Sequence, residues 1–409
     1  MQTSDSKSLS LWSWALYDFA NTIFSAVVLT AYFPLYLTSL AGANWYLGVA
    51  TTGSMVIAGL VVPFFGALSD QTGKTKSYLI KTTLACIFAM LFLALTKTPW
   101  LLILFFIVAC FFYHASLVFY NALLVTVAQP GKQGQASGLG TGLGYLGVVC
   151  ALPVANLADK ALGRPMVFAV AALLFLLFAL PAFFFVPERK VESTVRFRWG
   201  LWFTEWRKII ETVKGLRHHL ALALFLGGNF FVVDALNSTI FWFMVYGREV
   251  FHPGQDKLVM VLTGVNCGAF LAGLVTGRLT DRLGALRVLC LAAAALVVTL
   301  ILLAWVPSFA LFVAVSVTTG AFAIAGIWTA GRKALIDLCP AEKIGEYFGI
   351  YGLTTKISVL GSLLFSIIAD QAGFRMALSA LLLPAGMGFG LLLFSKYLNN
   401  HKMEYSVQP

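Results

Sequence analysis

The sequence predicts an all-α membrane protein of twelve transmembrane helices, arranged as two six-helix halves related by internal repetition. Three observations carry this prediction: the composition, twelve apolar runs, and a motif that recurs at a fixed offset. Of 409 residues, 60% are hydrophobic and 11% are charged, whereas soluble domains carry about 25% charged residues. The mean hydropathy is +0.88. A soluble fold is therefore excluded, and the length suits about twelve spans of some 20 residues each.

The apolar runs place the predicted spans at residues 11–40, 45–68, 77–96, 99–128, 134–158, 165–187, 219–247, 257–280, 286–305, 308–338, 345–370 and 374–398. Twelve spans put both termini on one side of the membrane. The loops on that side carry 21 Lys and Arg residues, the opposite loops carry 6, and Lys356 falls inside a span. Because basic loops stay inside, we expect both termini to be cytoplasmic and the protein to lie in a bacterial inner membrane.

The net charge of +11 is explained by this orientation, so no nucleic-acid partner is expected and the lipid bilayer is the partner surface. The six cysteines show no paired spacing, which argues against a disulfide framework or a metal site. The polar N-terminus has no small-residue cleavage site after it, so we expect no removable signal peptide. We expect a monomer.

A short polar and basic segment between two apolar runs occurs twice, with the second copy 211 residues after the first. An offset of about half the chain indicates a duplicated half. The glycines permit a tight turn, the carboxylate can cap or bridge neighbouring helix ends, and the basic residues stay at the cytoplasmic face. We interpret eight residues of the two copies as conformational gating residues. They are Gly66, Asp70, Gly73 and Lys74 in the first copy, and Gly277, Asp281, Gly284 and Arg287 in the second.

Arg332, near the cytoplasmic end of the tenth span, is a further gate candidate. The alternative is that Arg332 only suits the interface and the helix dipole. The repeat also relates Gly134 to Gly345 at the same offset of 211. These features predict an N-terminal half at 1–187, a cytoplasmic linker at 188–217 and a C-terminal half at 218–409.

The predicted linker contains an amphipathic pattern, with apolar residues at helical spacing and basic residues between them. Such a helix lies in the membrane interface. It either has a regulatory or lipid-sensing role or only tethers the two halves. The apolar positions are Trp199, Trp202, Phe203, Trp206, Ile210 and Val213.

Polar residues inside the spans are the candidate binding residues, because a charge at the centre of a span costs about 2.5–3.5 kcal/mol. Asp18 and Asn21 share one face of the first span beside Tyr17, and Asp234 and Asn237 repeat this spacing on the seventh. Parallel repeats place the substrate path between the halves, so we expect these acceptors to converge on one cavity. Desolvation favours a neutral carboxylate, which can carry a proton, and a carboxylate can equally hold a substrate ammonium group. The alternative is that each carboxylate locks neighbouring helices together.

Lys356 in the eleventh span needs a counter-charge, which Asp18, Asp234 or a substrate carboxylate could provide. Lys356 either binds the ligand or takes part in gating, or it is only a static ion-pair partner. His114 lies midway along the fourth span, with Tyr120 and Asn121 on the same run. Histidine can relay protons, although hydrogen bonding within the bundle is the more common role.

The chain has no phosphate-cradling Gly-Lys-Ser loop, no nucleophile elbow and no paired metal spacing. We therefore expect no enzyme activity, no cofactor and no ATP-driven transport.

The duplicated loop resembles the signature between helices 2 and 3 of the major facilitator superfamily. The spans also contain five more specific motifs: Trp14-Ala-Leu-Tyr-Asp18-Phe-Ala-Asn21, Val118-Phe-Tyr120-Asn121-Ala122, Ser137-Gly138-Leu-Gly140, Gly144-Tyr145-Leu146-Gly147, and Phe348-Gly349-Ile-Tyr351-Gly through Lys356 and Leu360-Gly361. These motifs are similar to those of the autophagy-related vacuolar amino-acid effluxer branch and its bacterial relatives. This resemblance implies a major facilitator fold and the export of amino acids.

Together these features predict a secondary active transporter of a small polar or zwitterionic solute, such as an amino acid or related metabolite. We expect alternating access coupled to protons. The alternatives are efflux of drugs, siderophores or other metabolites, and a membrane receptor that kept the fold without transport.

Overall fold

The computed structural model describes residues 4–41, 71–188, 214–357 and 371–406, with single residues or short runs within 50–69, at 207 and 211, and within 365–369. Ten of its helices are long and apolar enough to cross a membrane. These described ranges contain helices and no strands, so the predicted all-α membrane fold is confirmed. The second and eleventh predicted spans, at 45–68 and 345–370, and the amphipathic pattern of the linker lie wholly or partly outside the described residues.

The first half of the chain builds seven α-helices in its described part. A π-helix at Phe24–Tyr32 separates the first two. The α-helices are α1 (Ser4–Ile23), α2 (Phe33–Ala41), α3 (Thr75–Leu95), α4 (Pro99–Ala122), α5 (Leu124–Val127), α6 (Gln133–Leu162) and α7 (Arg164–Phe185).

The second half builds eight described α-helices. A short 3₁₀ turn at Leu216–His218 precedes the first of them, and a π-helix at Ser316–Gly320 and a 3₁₀ turn at Ala341–Lys343 lie between later ones. The α-helices are α8 (Leu220–Phe251), α9 (Gln255–Leu283), α10 (Ala285–Trp305), α11 (Phe309–Val315), α12 (Ala321–Leu338), α13 (Ile344–Ile357), α14 (Phe374–Ala380) and α15 (Leu382–Ser406).

The chain forms two compact units with the same internal pairing of helices. One comprises Met1–Pro130, Leu143–Ile209 and Ala341–Leu353, and the other comprises the remaining residues. In the first unit α1 and α3 both pack on α7, and α3 also packs on α4. In the second unit α8 and α10 both pack on α15, and α10 also packs on α12. The predicted domain boundaries, at 187/188 and 217/218, stay a prediction.

The π-helix at Phe24–Tyr32 lies immediately before Pro34. Proline has no backbone N–H, and in an α-helix its ring clashes with the carbonyl four residues earlier. A π-helix shifts the hydrogen bonds to the residue five positions back. Phe33 accordingly donates its N–H to the carbonyl of Val28. The wider turn lets the first span pass a proline without breaking.

The α8–α15 contact in the second unit depends on two glycines that face each other. A Cβ on Gly228 would lie 2.9 Å from the carbonyl oxygen of Gly388, and a Cβ on Gly388 would lie 2.7 Å from that of Gly228. The backbones therefore touch directly, as small residues permit in membrane helices. The Ser395 hydroxyl donates to the carbonyl of Ala221 at 2.6 Å further along the same contact.

We expect Gly388→Val to lower the free energy of unfolding by about 2 kcal/mol, because the new side chain overpacks the helix crossing. Gly390→Val, on the same helix, is the matched control, since a Cβ there meets open space. Thermal unfolding in detergent measures the effect. Equal melting temperatures for the two variants would show that the crossing does not limit stability.

Candidate functional site

The predicted polar face of α1 is buried in the first unit. Asp18 is 5% exposed and Asn21 is 4% exposed. Tyr17, beside them, is fully buried and shares a hydrogen bond of 2.6 Å with the hydroxyl of Thr83 on α3. The Asp18 carboxylate interacts electrostatically with the phenol of Tyr113 on α4. The first span therefore keeps a carboxylate and an amide inside the protein, away from lipid.

An aromatic stack attaches α1 to the end of α4. Trp14 stacks on Tyr120 with ring centroids 4.4 Å apart, and Tyr17 stacks on the same ring at 5.3 Å. The Trp14 Nε1–H also donates to the carbonyl of Tyr120 at 2.8 Å. This bond lies just before Leu123, where α4 ends and the chain turns into α5. Trp14 thus fixes the position at which the fourth span changes direction.

His114 and Asn121 lie seven residues apart on α4 and so share one face of the helix. His114 is buried, with its ring 4.9 Å from that of Tyr113. The Oδ1 atom of Asn121 is buried and has no hydrogen-bond partner among the residues that the structure describes. His114 and Asn121, both predicted site residues, therefore place polar atoms on the same face of α4.

In the second unit, α8 carries the other predicted carboxylate. Asp234 is 3% exposed and lies in the middle of the helix, while Asn237 is half-buried. The hydroxyl of Ser238, one turn beyond Asp234, is buried and has no hydrogen-bond partner in the described part of the chain. Asp18 with Asn21 and Asp234 with Asn237 belong to different units, so their predicted convergence on one cavity stays a prediction.

Lys356 lies in the last turn of α13. Its side chain falls outside the described residues, as does the whole of Asp70. The predicted counter-charge for Lys356 and the predicted gating role of Asp70 therefore stay predictions.

The second copy of the duplicated loop holds the start of α6. The carboxylate of Asp281 accepts the backbone N–H of Gly134 at 2.7 Å and that of Gln135 at 2.8 Å. The first N–H groups of a helix have no partner within it and carry partial positive charge, so a carboxylate there is stabilising. A Cβ on Gly277 would lie 2.9 Å from the carbonyl oxygen of Gly134. Glycine therefore brings the loop against the backbone of α6.

The first copy makes the equivalent approach in the first unit. A Cβ on Gly66 would lie 2.8 Å from the carbonyl carbon of Gly345 and 3.2 Å from the nitrogen of Glu346. Gly66 and Gly277 differ by 211 residues, and so do Gly134 and Gly345. The duplication therefore extends to the pairs of glycines that touch.

The turns that follow these contacts also match. Gly73 has φ of 62° and Gly284 has φ of 91°, values that glycine adopts without strain. The Gly73 N–H donates to the carbonyl of Ser69, and the Gly284 N–H donates to that of Thr280. Both donors and both acceptors are again related by 211 residues.

The basic gate candidates differ in burial. Lys74 and Arg287 are exposed, which suits cations at the end of a loop. Arg332 on α12 is only 9% exposed. One turn before it, the carbonyl of Thr329 accepts the hydroxyl of Ser137 from α6 at 3.0 Å. Arg332 therefore lies next to the contact between α6 and α12.

Sequence reasoning missed Asn229 on α8. Its side chain is fully buried, and within the described ranges neither Oδ1 nor Nδ2 has a hydrogen-bond partner. An amide in an apolar run is the same signal that identified Asp234. The hydrogen bond from Ser137 on α6 to Thr329 on α12 was also missed. Its acceptor is a backbone carbonyl, which every residue has, so the sequence does not reveal the contact.

No group of three or more His, Cys, Asp and Glu side chains with metal-binding geometry occurs in the part of the chain that the structure describes. Among the described residues, the buried polar side chains of the candidate site include the carboxylates of Asp18 and Asp234, the amides of Asn21 and Asn229, the His114 imidazole and the Arg332 guanidinium. Such groups can bind a proton, a small cation or a polar solute by hydrogen bonds.

A family model described as the Major Facilitator Superfamily matches residues 11–262 and 253–406. An uncharacterized protein of Aquifex aeolicus is 29% identical over 95% of this chain and 97% of its own length. The uncharacterized MFS-type transporter YxiO of Bacillus subtilis is 27% identical over 88% of both chains. The multidrug resistance protein MdtG of Salmonella paratyphi A is 28% identical over 66% of both chains.

Solved structures show the same fold at low identity. The human organic anion transporter MFSD10 superposes with a TM-score of 0.75 at 15% identity, covering 96% of this chain and 100% of its own. The transporter FucP in its outward conformation gives 0.73 at 14% identity, covering 95% and 98%.

The apolar helices and the paired units define a multi-pass membrane protein of the transporter class. The chain belongs to the Major Facilitator Superfamily, and the predicted membership of that superfamily is confirmed. The resemblance to the amino-acid effluxer branch stays a prediction.

We expect Asp281→Ala to speed hydrogen exchange at Gly134 and Gln135 by about tenfold or more, because the start of α6 loses two hydrogen bonds to a charged acceptor. Arg282→Ala, on the exposed neighbouring residue, is the control and leaves the exchange unchanged. Exchange mass spectrometry on a peptide that covers the start of α6 measures the effect. Protection that survives Asp281→Ala would show that other contacts hold this helix end.

Proposed function

We propose that the protein is a secondary active transporter of a small polar or zwitterionic solute, an amino acid or related metabolite, which it moves by alternating access coupled to protons. The observation that carries the proposal is the burial of Asp18 and Asp234 within membrane-spanning helices. An ionisable residue in a transmembrane helix is expensive to keep, and it marks a path for substrate or protons. Membership of a transporter superfamily supports the same reading.

The first and the seventh predicted spans carry the same pair of polar side chains. Asp18 with Asn21 and Asp234 with Asn237 each place a carboxylate and an amide three residues apart on a helix. In the alternating-access proposal these faces, with Tyr17, His114, Tyr120, Asn121 and Lys356, line a shared central cavity that opens to each side in turn. Asp234 lies midway along its span and is the proposed proton carrier.

The duplicated loop is the proposed cytoplasmic gate. Asp281 holds the start of α6 by two hydrogen bonds, and Gly66 with Gly277 bring the loops against the helix backbone. Opening toward the cytoplasm would require these contacts to break. In this proposal Asp70, the counterpart of Asp281 in the first copy, is part of the same gate, and Arg332 closes it beside Thr329.

The proposal places the protein in the bacterial inner membrane as a monomer with both termini in the cytoplasm. Relatives in Bacillus subtilis and Aquifex aeolicus support a bacterial membrane. Efflux of drugs is the second candidate function. The observation in its favour is the relative named multidrug resistance protein MdtG, which aligns over 66% of the chain.

Counterflow of labelled solutes in proteoliposomes tests the function. The panel comprises labelled amino acids and the cationic dye ethidium, each with and without an imposed pH gradient. Amino-acid counterflow supports the first candidate, and ethidium movement with no amino-acid movement supports drug efflux. A protein that moves none of the panel under either condition would favour a receptor role.

We expect Asp234→Asn to reduce pH-driven uptake at least about tenfold, while the amount of protein in the membrane stays unchanged. The amide keeps the size of the side chain and cannot take up a proton. Asp337→Asn is the matched control, because Asp337 is exposed and pairs with Lys333 one turn away. If Asp234→Asn retains the pH dependence of the wild type, Asp234 is not the coupling residue.

A further inference from the structure

Three arginines lie on the exposed surface where α9 ends and α10 begins. Arg278 and Arg282 are exposed on the last two turns of α9, and Arg287 is exposed in the first turn of α10. Arg278 and Arg282 are four residues apart, so they are neighbours on one face of the helix. Within the described residues none of the three forms an ion pair. We call these three residues the arginine corner.

The carboxylate closest in sequence does not neutralise the arginine corner by an ion pair. Both oxygens of Asp281 accept backbone N–H groups at the start of α6. The corner therefore presents three positive charges on one part of the surface of the second unit.

The duplicated loop does not need these charges in order to fold. At the positions of the arginine corner, 211 residues earlier, the first copy has Ala67, Gln71 and Lys76. Its one cation there has a partner within the first unit, because the Lys76 Nζ donates to the carbonyl of Phe184 at 3.5 Å. The turn at Gly73 forms all the same. The arginine corner is therefore a feature that the second copy adds to the shared loop.

Both helices continue from the arginine corner as exposed apolar surface. On α9, Leu271 and Val275 precede Arg278 by seven and three residues and are exposed. On α10, Leu291 follows Arg287 by four residues and is exposed. Residues at these spacings share one face of a helix. Because exposed apolar side chains of a membrane-spanning helix face lipid, the arginines lie on the lipid-facing side, where long cationic side chains reach the headgroup layer.

The helix α15 brings a fourth cation to the same place. It packs on α10, and its Lys396 interacts electrostatically with the thiol of Cys290, one turn beyond Arg287. Tyr397, the next residue, is exposed, and tyrosine is enriched at the level of the lipid headgroups. Cations from three neighbouring helices therefore lie at the membrane interface.

We infer that the arginine corner, with Lys396, binds the headgroup of an anionic phospholipid whose acyl chains lie along the exposed faces of α9 and α10. The planar guanidinium group forms paired hydrogen bonds with phosphate, and clusters of basic residues beside a span attract anionic lipids. A zwitterionic lipid also carries a phosphate, but its ammonium group cancels the charge and is repelled by the neighbouring cations. The net charge of the headgroup therefore decides which lipid binds.

Lipid binding can be measured without any transported solute, so the result does not depend on the proposed transport function. The purified full-length protein in a non-ionic detergent is mixed with equal amounts of phosphatidylglycerol and phosphatidylcholine that have the same acyl chains. Native mass spectrometry counts the bound lipids. We expect phosphatidylglycerol to be preferred at least about tenfold, and the preference to fall as the concentration of ammonium acetate rises.

The double variant Arg278→Gln/Arg282→Gln removes two charges from exposed positions and is expected to lose most of the preference. Its melting temperature in lipid-free detergent is expected to equal that of the wild type. Arg278→Lys/Arg282→Lys keeps the charges without the planar fork, so it is expected to retain the preference at lower affinity. Lys257→Gln, at an exposed position near the other end of α9, is the matched control and is expected to keep the full preference.

Four results would overturn this inference. Equal binding of the two lipids by the wild type would show that the headgroup charge is not selected. An unchanged preference in the glutamine double variant would place the anionic lipid elsewhere, and an equal loss in Lys257→Gln would show a general effect of charge. The fourth uses glycerol phosphate, which has no acyl chains. If it displaces phosphatidylglycerol as effectively as a short-chain phosphatidylglycerol does, the corner is a site for a free phosphate and not for a lipid.

Discussion

The structure of this molecule is governed by the free-energy cost of leaving a polar group without a hydrogen-bond partner in apolar surroundings. Water is absent from the hydrocarbon core, so each buried donor or acceptor must be satisfied within the protein. Several hydroxyls meet this demand locally by bonding to the carbonyl one turn back, as Thr83, Thr276 and Thr299 do. Against this background the few groups that remain unsatisfied, such as Asn21 and Asn229, become conspicuous. Their positions make α1 and α8 the helices to which the proposed transport function assigns the binding surface.

Glycine contributes in two different ways within the second unit. Where a helix backbone meets another backbone directly, as at Gly228 and Gly388, the contact is close, and a side chain would separate the helices. At Gly277 the same closeness brings a carboxylate-bearing loop to the first N–H groups of α6. One residue type thus serves stability in the first case and the attachment of a helix end in the second. The neighbouring charge, rather than the glycine itself, makes the difference.

The sequence was sufficient for the class of fold and for the duplicated loop. Apolar runs of about 20 residues reflect the thickness of the membrane, and an offset of 211 residues identified Gly73 with Gly284, which adopt the same turn. The burial of Asp18 and Asp234 also followed from their position inside apolar runs. These features depend on composition and spacing, which a sequence displays directly.

Other features depend on three-dimensional proximity and were not predictable. Nothing in the residues around Gly144 shows that it lies against Thr22, and the donation of Trp14 to the backbone of Tyr120 leaves no pattern. Helical spacing itself fails beyond Ile23, because the π-helix changes the angle between successive side chains. The faces assigned from a period of 3.6 residues are therefore reliable for α1 and not for the segment that follows.

The π-helix has a consequence for the evolution of this first span. A π turn accommodates more residues per unit of length than an α turn, so a homologue without a proline at position 34 would cross the membrane in its first span with fewer amino acids. Insertions or deletions between Ile23 and Pro34 would then be tolerated as changes of helix type. A gap at this place in an alignment would then indicate a change from π-helix to α-helix, while the span itself remains intact.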